Sequence, residues 1–130
     1  MRNAYRAMEL ELIDGLHAAG YDGIRLTHAS VLRVLDEAGT RPSALAERSG
    51  LTRQALTQLV DDLAAMGFVT RGADPGDRRA QVVRYTDEGR EALATARRLM
   101  REIEGRARRR LGRARFGELQ DALAELADGD

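Results

Sequence analysis

The segment from Gly50 to Gly67, GLTRQALTQLVDDLAAMG, constrains this chain more than any other. Thr52 is a favourable helix N-cap, and Gly67 is a favourable residue just past a helix C-terminus, so both ends are punctuated. The spacing predicts one helix over 52–66, a rod of roughly 20 Å at ~1.5 Å per residue. Ala55, Leu56, Leu59, Val60, Leu63 and Met66 share one side at helical spacing and are expected to face a core. The other side begins with Arg53, Gln54, Thr57 and Gln58, clustered at the N-terminal end. Such side chains suit a DNA major groove: Arg is bidentate to guanine, Gln to adenine, and Thr meets a base, a methyl group or a phosphate. The pattern fits an ordinary amphipathic surface helix equally well, so the neighbouring segments decide.

Upstream, Pro42 suits the first turn of a short helix that Gly50 ends. Leu45, Ala46 and Leu51 would bury the corner between the two helices. A short helix, a tight turn and a longer capped helix form the helix-turn-helix layout, with the second helix as the reader. Downstream, the β-prone runs 68–71 and 81–86 enclose a Gly/Asp/Pro turn, which predicts a hairpin. Its tip carries Arg78 and Arg79 beside Asp74 and Asp77. A hairpin directly after a reading helix is a wing, whose arginines can enter a minor groove or grip phosphate. The alternative is a solvated hairpin whose charges pair with one another.

The rest of the chain is helical punctuation. Residues 3–19 predict a first helix with a stripe of Tyr5, Met8, Leu12, Leu16 and Ala19, followed by a glycine turn at 20–23. Thr27 is expected to cap a second helix containing Val31, Leu32, Val34 and Leu35 and closed by Gly39. Thr86 is expected to cap a long helix, with Asp87 and Glu88 at its positive end and Leu93, Ala96, Leu99, Met100, Ile103, Ala107 and Leu111 as its stripe. A last helix over 113–127 carries Phe116, Leu119, Leu123 and Leu126. These narrow-striped terminal helices are expected to bury themselves in a symmetric dimer. The fold expected is mostly α with a small β-hairpin. It is a single domain over 1–130, with a DNA-binding lobe at about 27–86 and dimerisation helices at about 1–26 and 87–130.

Composition narrows the function. There is no cysteine, which removes disulfides, thiolate metal sites and thiol redox sensing. No apolar run approaches the ~20 residues of a bilayer span, and nothing resembles a signal peptide, so a soluble cytoplasmic protein is expected. The formal net charge is zero but is unevenly placed: residues 97–115 hold nine Arg and two acids, a net of +7, and residues 116–130 hold five acids and no Arg. The basic stretch either extends a DNA-binding surface or balances the tail of Glu118, Asp121, Glu125, Asp128 and Asp130.

From Pro42 to Arg90 the sequence resembles MarR-family transcriptional regulators. The resemblance rests on PSALA at 42–46, GLTRQA at 50–55, LVDDL at 59–63, GFVTR at 67–71, DPGDRRA at 74–80 and TDEGR at 86–90, in that order. It implies a homodimer of winged helix-turn-helix lobes that binds a pseudo-palindromic operator on double-stranded DNA, as a repressor relieved by a small-molecule effector. The DNA contacts it implies are Ser43, Thr52, Arg53, Gln54, Thr57 and Gln58, with Arg78 and Arg79 in the wing, one of them oriented by Asp77. No cofactor, metal or membrane is expected.

Three other classes compete with it. An enzyme has only His17 and His28 as histidine bases and no serine in a nucleophile elbow, so no catalytic residue is assigned. A metal-responsive regulator would draw on His17, His28 and Asp14, which lack tight ligand spacing. A winged helix that serves only protein contacts is the remaining alternative. In a dimer of the implied kind, Tyr21, Arg25 and His28 lie near one another beside Leu12, Leu16 and Leu32. They suit a small aromatic carboxylate or phenol, or else Tyr21 and His28 merely fix the turn at 20–23.

Overall fold

The computed structural model of the chain describes residues 2–128, with side chains from residue 6 onward. Tyr5 of the first stripe and Asp130 of the acidic tail therefore lie outside the described side chains. The elements run α1 (Arg2–Ala18), α2 (Leu26–Arg33), α3 (Pro42–Ser49), α4 (Arg53–Ala65), β1 (Val69–Asp74), β2 (Asp77–Tyr85), α5 (Asp87–Leu111) and α6 (Arg113–Asp128). This is the mostly helical chain with one hairpin that the sequence predicts. Contacts group residues 1–97 into one compact unit and 98–130 into a second, with α5 beginning in the first and continuing into the second.

In the first unit, α4 packs against α2, α3 and β1. Leu16, Val31, Leu45, Leu56, Leu63 and Val83 are its largest fully buried side chains. Pro42 opens α3 as its first residue, and Gly50 ends it at φ +66, a left-handed conformation that disfavours a side chain. That sharp stop lets Thr52 cap the next helix, accepting from the Ala55 N–H at 3.1 Å.

The second helix departs from expectation at both ends. Its N-cap is Arg25, not Thr27, because the ring of His28 does the capping: His28 Nδ1 accepts the Arg25 backbone N–H at 2.9 Å. It ends at Arg33, not at Gly39. The carbonyls of Leu32 and Leu35 are taken by the Tyr85 hydroxyl from β2, and Arg48 Nη1 donates to the Val34 carbonyl at 2.9 Å. Those distant donors satisfy carbonyls that a further helical turn would otherwise have used. Thr40 then forms an isolated bridge with Val83, with N–H···O distances of 2.9 and 2.8 Å, and adds a third row to the hairpin edge.

β1 and β2 pair antiparallel, Val69 opposite Tyr85 and Ala73 opposite Gln81, with an irregularity before Asp74. Asp74 Oδ1 accepts the Gly76 N–H at 2.9 Å and so closes the turn with its own side chain. Gly89, in the first turn of α5, lies against the Phe68 carbonyl. In the second unit Ile103 and Phe116 are buried, and the Arg108 guanidinium sits 4.9 Å from the Phe116 ring centroid. Leu119, Leu123 and Leu126 on α6 are exposed.

Candidate functional site

The end of α4 that carries Arg53, Gln54, Thr57 and Gln58 is exposed, while Leu56, Leu59, Val60 and Leu63 behind it are buried. Burial of that second set fixes the rotation of the helix and so fixes which residues look outward. Ala55, expected on the apolar side, is exposed. It lies at the edge of the buried stripe, one position before Leu56, and leaves a small-residue gap among the polar ones. The N-terminal end of a helix also carries partial positive charge and outward N–H groups, which favour anions.

Two of the four side chains are already engaged. Thr57 Oγ1 donates to the Arg53 carbonyl at 2.8 Å, so its hydrogen is used inside the helix and its methyl and lone pairs remain to serve a partner. Gln58 Nε2 donates to Asp62 Oδ1 at 3.1 Å, one turn along the helix. The other oxygen of Asp62 accepts from His28 Nε2 at 3.0 Å and from Arg25 Nη2 at 3.5 Å. The His28 bond, followed by the Gln58 bond, holds the Asp62 carboxyl below the usual carboxylate range.

The wing is braced by pairs that the sequence did not single out. Arg71 pairs with Asp61 of α4, and Arg41, just ahead of α3, reaches Asp74 with Nε at 3.0 Å and Nη2 at 2.8 Å. The Gly76 N–H and then Arg41 hold Asp74 below the usual carboxylate range, and the Arg41 guanidinium is raised in turn by Asp74. Arg78, Arg79 and Asp77 are exposed at the tip. Asp77 was expected to orient an arginine side chain; its Oδ1 instead accepts the Arg79 backbone N–H at 3.0 Å, which shapes the strand start. Ser43 is exposed at the second position of α3, and Thr52 is exposed beside Arg53.

The three residues of the suggested ligand site have separate duties. Tyr21 packs edge-on against Phe68, ring centroids 5.8 Å apart, Arg25 extends into solvent, and His28 is 2% exposed with both ring nitrogens bonded. His17 Nε2 donates to the Ile24 carbonyl at 2.9 Å, apart from the His28 network. Among the described residues no group of three or more His, Cys, Asp or Glu could hold a metal, and no helix is long and apolar enough to cross a membrane.

The roles of Arg41, Asp61, Asp62 and Arg71, and the Arg41 partner of Asp74, do not follow from the sequence pattern. Only Asp62 had a local signal, four residues after Gln58 on the same helix face. The partners of the others lie 10 to 33 residues away.

Comparison with known proteins agrees with this architecture. Residues 22–80 match the sequence model described as the MarR family. An HTH-type transcriptional regulator of Mycobacterium tuberculosis is 35% identical over 80 residues, covering 61% of this chain and 56% of the relative, and one from Mycobacterium bovis gives the same values. The chain thus spans just over half the length of the curated relatives it matches. Among solved structures, the repressor CouR bound to a 23-mer DNA duplex superposes with a TM-score of 0.78 at 29% identity, covering 97% of this chain and 88% of that one. CouR from Rhodococcus jostii bound to p-coumaroyl-CoA gives 0.77 at 25% identity, covering 97% and 87%. BldR from Sulfolobus solfataricus gives 0.75 at 26% identity, covering 99% and 90%.

Proposed function

We propose that this chain, which belongs to the MarR family, is a DNA-binding transcriptional regulator that reads a pseudo-palindromic operator as a homodimer. The observation that carries this reading is the exposed polar end of α4. Arg53, Gln54, Thr57 and Gln58 stand together at the capped N-terminus of a helix whose opposite side is core. None of the four side chains is buried, and base edges in a major groove match their chemistry. Ser43 and Thr52 sit where a hydroxyl meets backbone phosphate, and Arg78 and Arg79 extend the contact to the flanking minor groove. The exposed Leu119, Leu123 and Leu126, one helical turn apart on α6, support burial against a second copy.

As a repressor, the protein acts by occupying its operator, and an effector relieves it by favouring a state that fits DNA less well. A small aromatic or phenolic effector, its anion taken by the exposed Arg25 near Tyr21, completes this reading; His28, bonded through both nitrogens, has none left to bind it. CouR binding an aromatic acyl-CoA is a precedent for an aromatic effector in a structural relative.

Selection from a random DNA pool tests the whole reading. The expected product is an inverted repeat with half-sites about one helical turn apart, bound by two chains per duplex in sedimentation. A pool that yields no enriched sequence, or a single half-site bound by one chain, overturns it.

A further inference from the structure

The bonds behind Gln58 form a relay that the DNA-reading role does not itself require. Arg25 is backbone-bonded to His28 through an N–H that can only donate, so Nδ1 of His28 is the bare nitrogen and Nε2 carries the hydrogen. That hydrogen faces Asp62 Oδ2 at 3.0 Å. The ring is 2% exposed and packed within α2, so it offers a fixed donor rather than a mobile one. Arg25, whose side chain is 70% exposed and 3.5 Å from the same oxygen, is the weaker partner. Asp62 is thereby held from behind while its other oxygen, Oδ1, faces Gln58 Nε2 at 3.1 Å. A carboxylate only accepts, so it selects the amide nitrogen of Gln58 and turns the amide oxygen away.

We propose that Asp62 and His28 are specificity-positioning residues. The buried imidazole fixes the carboxylate, and the carboxylate fixes the Gln58 carboxamide in the one orientation that presents Oε1 and its remaining N–H to DNA. An acceptor and a donor side by side are what adenine N6 and N7 take in the major groove. This inference rests on the proposed groove contact of Gln58. It assigns the orientation of that contact to residues that never touch DNA.

The relay makes an unusual demand on one conservative change. In Asp62→Asn the new side chain must turn its oxygen to the His28 Nε2–H, so its own amide nitrogen faces Gln58. Gln58 must then reverse, presenting donors alone to the groove, which suits the N7 and O6 acceptors of guanine. Asp62 is partly exposed and the change is isosteric, so the fold is retained.

Relative affinities are measured by competition for the selected site and for its single-base variants, in parent, Gln58→Ala, Asp62→Asn and the double variant. Gln58→Ala is expected to lose about tenfold of the preference at one base position. Asp62→Asn is expected to move the preference at that same position toward guanine and to leave the others as they were. In the Gln58→Ala background, Asp62→Asn is expected to change nothing there, a readout that loss of general stability would not give. If Gln58→Ala loses its preference while Asp62→Asn keeps the parent profile, or if Asp62→Asn acts alike in both backgrounds, the relay is overturned. If Gln58→Ala itself keeps the parent profile, the groove contact of Gln58 falls first and the relay with it.

Discussion

Gly89→Ala places a methyl group where the fold has no room for one. An ideal Cβ at Gly89 would lie 2.0 Å from the Phe68 carbonyl oxygen and 2.9 Å from its carbon. Ordinary carbon–oxygen contacts start at about 3.3 Å, so the start of α5 must retreat by roughly 1.3 Å. The same carbonyl accepts the Thr86 N–H at 3.0 Å, and the Thr86 hydroxyl accepts the Gly89 N–H at 3.0 Å, so the retreat strains bonds that seat the helix on the root of the wing. Overpacking costs about 1–3 kcal/mol, and a weakened hydrogen bond about 1 more. Alanine returns up to about 1 kcal/mol through its better helix propensity. The net is a loss of about 1–3 kcal/mol, or roughly 4–12 °C in Tm at about 4 °C per kcal/mol for a chain of this size. Gly105→Ala in the same helix is the control, because its Cβ would meet only the tip of Arg109 at 3.6 Å and should raise Tm slightly. Thermal unfolding by circular dichroism reads both. A Gly89→Ala protein that unfolds at or above the parent temperature would refute the close approach.

Tyr85→Phe should cost about 1–2 kcal/mol in chemical denaturation, because the hydroxyl that satisfies the Leu32 and Leu35 carbonyls is lost from a site 6% exposed. Burial raises the Tyr85 hydroxyl above its ordinary 10.0, so its contribution is complete below pH 10 and is lost as pH rises through the folded value; the Phe variant should show a flatter alkaline limb. Asp62 and Asp74 are both lowered from 3.8, so their stabilisation is present above that value and disappears as pH falls through the folded values. Asp62→Asn and Asp74→Asn should each flatten the acid limb of a stability–pH curve, and an unchanged limb would count against the bonds assigned to them. Arg78→Ala with Arg79→Ala should weaken operator binding at every sequence alike and reduce the slope of log K against log salt by about 1–2; an unaltered slope removes the wing from the DNA surface.

Much of the fold was legible because its signals are local. Thr52 and Gly67 bracket α4, Pro42 and Gly50 bracket α3, and Asp74-Pro75-Gly76-Asp77 turns the hairpin, each through the backbone preference of the residue itself. The second helix was misjudged because its limits are set from afar. Val34 and Leu35 extend its apolar pattern, yet the Tyr85 hydroxyl and Arg48 take the carbonyls at its end. Its true cap, the ring of His28, is a residue with no reputation as one. The four outward residues of α4 were legible from periodicity, while the relay behind them was not. Asp62 and His28 are 34 residues apart, and only packing of α2 on α4 brings them together. Arg41 and Asp74, 33 residues apart, are hidden for the same reason.

Whether the N-terminal end of α4 reads bases is decided by the base-preference profiles of four single variants. Arg53→Ala, Gln54→Ala, Thr57→Ala and Gln58→Ala are each titrated against the selected operator and its single-base variants at one fixed salt concentration. Gln58→Ala is expected to relax discrimination at one position by about 1–3 kcal/mol while the protein keeps the parent's Tm and sedimentation coefficient. Four profiles identical to that of the parent would contradict it.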